Sequence, residues 1–175
     1  MSQSERKTTR LPDYDYKPAG AYFFTVCVKD WKCGLGEVLD EDVILTKEGE
    51  IVQAVWNVLP EHYERIELDA FVVMPNHVHG IVWIHEDEET HVGEGLRPSP
   101  TKKRHGLTEI VRAFKSFSAR KINELRCTQG QPFWQRSFYD HLIRDDEVLY
   151  NHRKHIQENP LKWSLDEYYK EIPHG

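Results

Sequence analysis

The sequence predicts an α+β domain: a ferredoxin-like antiparallel sheet with helices packed on one face. Three observations lead there. Short runs rich in Val, Ile, Phe and Tyr alternate with segments whose apolar residues recur at helical spacing, in the order strand, helix, strand, strand, helix, strand. One hairpin is plain: Phe71-Val72-Val73 and Val78 to Ile84 flank Met74-Pro75-Asn76, where Pro presets φ and Asn tolerates a tight turn. The chain of 175 residues is one domain's worth, long enough to bury roughly 70% of the surface its unfolded form exposes.

Residues 1 to 19 contain Pro12 and Pro18 without periodicity and read as an arm ahead of a single domain over residues 20–165, with 166–175 as a tail. Ala21 to Lys29, rich in Tyr, Phe, Thr and Val, is the first strand, and Gly34 and Gly36 punctuate a short arm near Glu37 to Leu39. Thr46 caps a helix running to about Leu59, with Ile51, Val55 and Val58 or Leu59 on one side. After the hairpin, residues 86–105 are acidic first and Pro/Lys-rich afterwards, a polar connection read as mobile. Gly106 to about Arg126 is strongly amphipathic: Leu107, Ile110, Val111, Phe114, Phe117, Ile122 and Leu125 form the apolar stripe. Phe138 to Ile143 is a further strand, and Asp145 to about Glu158 a last helix opened by acidic residues and stopped by Pro160.

Composition narrows the function. No run of eighteen apolar residues exists and the polar start Met1 to Lys7 lacks an apolar signal core, so a cytoplasmic protein without a membrane partner is expected. Three cysteines without a Cys-x-x-Cys pair argue against a disulfide framework or a cysteine zinc cluster. The net charge of −6 counts against indiscriminate coating of nucleic acid. Its distribution is uneven, however: Lys102, Lys103, Arg104, Arg112, Lys115, Arg120, Lys121 and Arg126 face only Glu109 and Glu124, a local charge of +6. That basic side can meet phosphate.

His77 and His79 follow the hairpin turn. Side chains alternate along a strand, so both rings point to one face and can share one divalent ion, while Val78 points to the other.

Met74-Pro75-Asn76-His77-Val78-His79-Gly80-Ile81-Val82-Trp83-Ile84 resembles the HUH motif (His, bulky hydrophobe, His) of single-tyrosine DNA transposases, in the variant of the bacterial REP-associated tyrosine transposases. Gly20-Ala21-Tyr22-Phe23-Phe24-Thr25-Val26, Phe133-Trp134-Gln135-Arg136 with Tyr139-Asp140-His141, and Asn159-Pro160-Leu161-Lys162-Trp163 resemble the same family, in the same order, from about Leu11 to Trp163. The resemblance implies the HUH transposase fold, single-stranded or hairpin DNA of repeated palindromic elements as partner, and a homodimer, with a monomer as the other state. It implies that His77 and His79 hold Mg2+ or Mn2+ with Asn159 as third ligand, while a tyrosine of the last helix attacks phosphorus, giving single-strand endonuclease and strand-transfer activity. Lys102, Lys103, Arg104, Arg112, Lys115, Arg120 and Arg136 would then contact phosphate, and Trp134 would stack on unpaired bases.

The family has its tyrosine four residues before the third ligand; here that position is His155. On a helix, residues 155 and 159 share a face, so His155 is expected to look into the metal site. Tyr150 lies about 140° around the helix from it at about 100° per residue, and Tyr139 approaches from a strand; both stay open as alternatives. Three readings follow: a transposase-type DNA-processing enzyme, a non-catalytic domesticated DNA-binding module, and a metal-dependent phosphodiesterase using His77, His79 and His155.

Overall fold

The computed structural model describes residues 19–86 and 105–170. The expected arm, the polar connection with Lys102, Lys103 and Arg104, and the last five residues lie outside the described part. Strand β1 (Gly20–Cys27) is followed by β2 (Gly36–Leu39), β3 (Asp42–Leu45), α1 (Lys47–Asn57), the single turn α2 (Leu59–His62), β4 (Ile66–Val73), β5 (His77–Ile84), α3 (Leu107–Arg126), β6 (Tyr139–Ile143) and α4 (Asp146–Glu158). The main sheet is antiparallel in the order β4, β5, β1, β6. That is the expected α+β, ferredoxin-like arrangement, with a β2–β3 ribbon inserted before the first helix.

β3 was hidden in the sequence because its Val43-Ile44-Leu45 follows an acidic run. Asp40 and Glu41 take positive φ of 49° and 71°, the conformation of a two-residue hairpin turn. β4 starts at Ile66, five residues before the Phe71 where the apolar run begins, because Glu67 and Asp69 break the pattern and a bulge shifts the register between Leu68 and Phe71. Thr46 caps α1 as expected, its Oγ1 accepting from Gly49 N at 3.2 Å.

Helices α1 and α3 cover one face of the sheet, as expected. Tyr22, Phe24, Val26, Val78 and Val82 meet Val52, Trp56, Ile110 and Phe114 there, and Trp56 stacks on Phe71 with ring centroids 4.5 Å apart. Gly80 leaves room for this aromatic layer: a Cβ on it would lie 2.8 Å from the Phe24 ring. Leu125 leaves the stripe and is 46% exposed, being at the end of α3 beyond the sheet's cover.

Helix α4 departs from the one-face expectation. It packs against β4, β5 and β6 on the opposite face, burying Leu149 and Ile156 with Ala21, Phe23, Ile81 and Ile143. The cause is legible in β1, whose residues are apolar on both faces, so both need a cover.

One polar latch fixes α4 laterally. The Asp69 carboxylate accepts from Arg153 Nε (2.9 Å) and Nη2 (2.5 Å), from Trp83 Nε1 (2.8 Å) and from Ala70 N (2.7 Å). The Arg153 bonds, with Trp83 and the Ala70 amide, hold Asp69 below the usual carboxylate range. A depressed carboxylate stabilises the fold above its unfolded pKa, and this contribution is lost as pH falls through the lower folded value. Asp69→Asn is therefore expected to cost about 1–2 kcal/mol at neutral pH and to flatten the acid limb below about pH 4. Urea unfolding at several pH values checks it; parallel wild-type and variant acid limbs would count against the latch.

Candidate metal centre

The sheet face under α4 carries the two histidines. His77 is fully buried and His79 is 3% exposed. They stand on β5 opposite Cys27 and Thr25 of β1. Their Nε2 atoms face each other at 3.0 Å. Asn76 donates from Nδ2 to the Tyr168 carbonyl (2.7 Å) and the Trp31 carbonyl (3.5 Å), so its Oδ1 turns to His77 Nδ1 at 2.8 Å. An amide oxygen only accepts, hence His77 carries its proton on Nδ1 and presents the Nε2 lone pair. His79 Nδ1 lies 2.8 Å from Thr25 Oγ1. A hydroxyl can donate or accept, so Thr25 serves both tautomers of His79. With Nε2 protonated, His79 donates to His77; with Nδ1 protonated, two lone pairs converge, which is stable only around a cation.

Burial pushes His77 down to about 4; the Asp166 carboxylate opposes the shift and His155 adds to it. Burial lowers His79 well below the imidazole range too, with His77, His155 and His152 adding. Both rings are neutral at neutral pH, the state a metal ligand needs.

The residues that complete the site come from α4 and the turns after it. Asp145 caps α4, its Oδ1 accepting from Val148 N at 2.8 Å, which sets the helix that presents His152 and His155. The His155 ring lies 4.9 Å from that of His79, although His155 itself is exposed at the rim. His152 stacks on Phe23 at 4.2 Å. Asn159 is 2% exposed; its Nδ2 donates to Asp166 Oδ2 at 2.7 Å, and its buried Oδ1 has no hydrogen-bond partner among the described residues. The cleft of about 270 Å³ is lined by His79, His155, Asn159, Lys162, Asp166 and Tyr168 among others.

These residues suit a divalent ion. His77, His79 and Asp166 each offer a ligand atom, all within 4.8 Å of one another. Two neighbouring ligands of an octahedral ion, each about 2.1 Å from it, lie about 3.0 Å apart, matching the Nε2 pair. Cys27 does not compete as a ligand, because burial, with Glu167 and Asp166, pushes its thiol up to about 12.

No model of a known protein family matches the chain. An uncharacterised protein of Haemophilus influenzae is 33% identical over 172 residues, spanning 94% of this chain and 93% of that one. A second H. influenzae protein, named as a candidate REP-associated tyrosine transposase, is 28% identical over 163 residues, 92% of this chain and 81% of the other. The fold is that of a solved REP-associated tyrosine transposase bound to a REP hairpin, with TM-score 0.57 and 22% identity over 93% of this chain and 74% of that one. In sequence the chain is similar to that named H. influenzae relative, and in fold to the solved REP-associated tyrosine transposase. That likeness supports a transposase-like DNA-processing role.

Against that family's pattern, the structure distributes the expected residues unevenly. His77, His79, Asn159 and His155 come together. Tyr150 is 63% exposed on α4, and Tyr139 is 49% exposed, its ring reaching Phe23 at 6.3 Å edge-on and not the histidines. Trp134 cannot stack on bases: it is 6% exposed and its Nε1 donates to Ser118 Oγ at 2.9 Å inside the core. Its neighbours continue the sheet edge of β1, Gln135 N donating to the Cys27 carbonyl at 2.9 Å, and this carries the indole inward. Lys115 is committed to the carbonyls of Gln135 (2.7 Å) and Arg136 (3.0 Å), so it braces the same segment instead of offering its charge outward. Arg112, Arg120 and Arg136 are exposed.

Among the described residues the group of converging donors is His77, His79 and Asp166, while His155, the third histidine the sequence offered, stands at the rim with its ring 4.9 Å from that of His79. Asp166 and Tyr168 fall in the segment expected as a tail. Tyr168 stacks on Trp31 at 4.9 Å and its ring lies 4.8 Å from that of His77, nearer than any tyrosine the sequence put forward. The only sequence signal was the recurrence of Trp163, Tyr168 and Tyr169 beyond Pro160, too plain to mark a site.

Proposed function

We propose that the chain is a metal-dependent DNA-processing enzyme of the transposase type, acting in the cytoplasm on single-stranded or hairpin DNA of repeated palindromic elements, as a monomer or homodimer. The observation that carries this reading is the convergence of His79, Asn159 and His155 on one cleft, with the buried His77 facing His79 at 3.0 Å behind them. Bound Mg2+ or Mn2+ would supply charge neutralisation at a scissile phosphate. His77 and His79 would hold the ion, Asn76 and Thr25 would orient their rings, and Asn159 would face it with its Oδ1, which has no partner among the described residues. Exposed Arg112, Arg120 and Arg136 would contact phosphates away from the cleft.

His155 occupies the nucleophile's position. An imidazole attacking phosphorus would form a P–N bond as the P–O bond to the 3′-oxygen breaks and leaves as a 3′-hydroxyl; the resulting phosphoramidate is labile and favours hydrolysis over rejoining. Tyr168 is no ready substitute: burial, then its hydrogen bond to Glu167, raises its hydroxyl pKa and disfavours the phenolate. The wild-type chain is therefore expected to form little stable phosphotyrosine adduct, and His155→Tyr to raise strand cleavage with a covalent product. A labelled hairpin oligonucleotide incubated with Mn2+ and resolved on a denaturing gel decides it. Hydrolysed ends from both proteins, with no covalent product in His155→Tyr, would favour the phosphodiesterase, and binding without cleavage by either protein the non-catalytic module. An adduct on Tyr139, Tyr150 or Tyr168 in the wild type would remove His155 from the role.

A further inference from the structure

We infer that Asp166 is a ligand of the metal held by His77 and His79, so that the turn after α4 closes the metal centre. The inference rests on the metal-dependent reading above and names a residue that the family resemblance does not. A carboxylate oxygen of Asp166 and one ring nitrogen of each histidine lie within 4.8 Å of one another, and the two Nε2 atoms are 3.0 Å apart. The carboxylate is held in that pose from behind. Oδ1 accepts from Tyr168 N at 2.7 Å and Oδ2 from Asn159 Nδ2 at 2.7 Å. Each oxygen keeps a second lone pair for an ion.

Asn159 thereby has two duties. Its Nδ2 orients Asp166, while its Oδ1 is buried in the cleft that His79 also lines and, among the described residues, has no partner within hydrogen-bond distance, a state that costs free energy unless an ion or water takes it up. Charge argues the same way. Two neutral imidazoles and an amide leave a doubly charged ion uncompensated in a buried place, whereas a carboxylate offsets half of it. Glu167 supplies an internal contrast: it carries the same charge one residue on, is exposed, and stands outside the converging donors.

The segment bearing Asp166 is docked by Tyr168, through its carbonyl to Asn76 Nδ2 at 2.7 Å and its ring on Trp31. Asn76 also holds His77. Metal binding and docking of residues 166–168 are then one linked equilibrium, each strengthening the other by the same factor.

The test is a titration of the full chain with Mn2+, followed by the electron paramagnetic resonance of the free ion. Wild type is expected to bind one ion. Asp166→Asn, which keeps the size of the side chain, is expected to raise Kd at least about tenfold, and Glu167→Gln to leave it within about twofold. A second measurement needs no variant: substoichiometric Mn2+ should broaden the amide resonances of residues 166–168 together with those of 77–79. Unchanged affinity in Asp166→Asn, an equal loss in Glu167→Gln, no binding by wild type, or sharp 166–168 signals at saturating Mn2+ would each overturn the inference. Hairpin binding measured in a chelator is a separate readout. Its failure would sink the DNA-processing proposal and leave the ligand assignment standing.

Discussion

Gly49→Ala is expected to lower stability by at least about 3 kcal/mol and to move the urea midpoint down by about 1 M or more. Gly49 lies in the first turn of α1, where the backbone of Leu35 passes so closely that an added Cβ would sit 2.0 Å from the Leu35 carbonyl oxygen. That oxygen is main chain and already accepts from Thr46 N at 3.0 Å, so it cannot swing aside as a side chain would. The Leu35 side chain is itself fully buried in the main core, and moving its backbone disturbs packing well beyond α1. Glu50→Ala, one residue on at an exposed position, should stay within about 0.5 kcal/mol. An alanine at 49 that unfolds at the wild-type midpoint would show that the α1 start relaxes freely.

His77→Ala and His79→Ala are each expected to abolish stoichiometric Mn2+ binding at concentrations that saturate the wild type, and to bring metal-dependent hairpin cleavage to background. Each removes one of two Nε2 atoms that face each other at 3.0 Å, and leaves two of the three donors that converge among the described residues. Asn76→Ala should fall between, about 10–100-fold weaker in metal affinity, because it frees the His77 ring without removing it. Calorimetric titration of folded variants, checked by circular dichroism, gives the result. A His77→Ala protein that titrates like wild type would place the ion elsewhere.

What could be read from the sequence was whatever depends on period and local chemistry. The pairing of His77 with His79 followed from strand alternation alone, and the Thr46 and Asp145 caps from their neighbours. What could not be read depends on partners far along the chain. Trp134 looks like an available aromatic until Ser118, sixteen residues earlier on α3, is seen to take its N–H. Lys115 looks like part of a basic face until the carbonyls of Gln135 and Arg136 arrive beside it. Asp166 carries no local mark at all; its meaning comes from Asn159 seven residues back and from a hairpin nearly ninety residues before it. The side of the sheet taken by α4 was likewise undecided by the helix's own pattern, and was set by the apolar residues on both faces of β1.

β5 alternates between two neighbourhoods, with His77, His79 and Ile81 under α4, and Val78, Gly80 and Val82 against the aromatic layer beneath α1 and α3. The sheet therefore works as a partition between foldability and chemistry. Ancestral drift at positions such as 155, on the α4 side, leaves the Trp56–Phe71–Phe114 packing untouched. The residue at 155 can therefore change while the opposite face keeps the domain folded, so the chemistry of the α4 side is open to single substitutions that the aromatic layer does not feel.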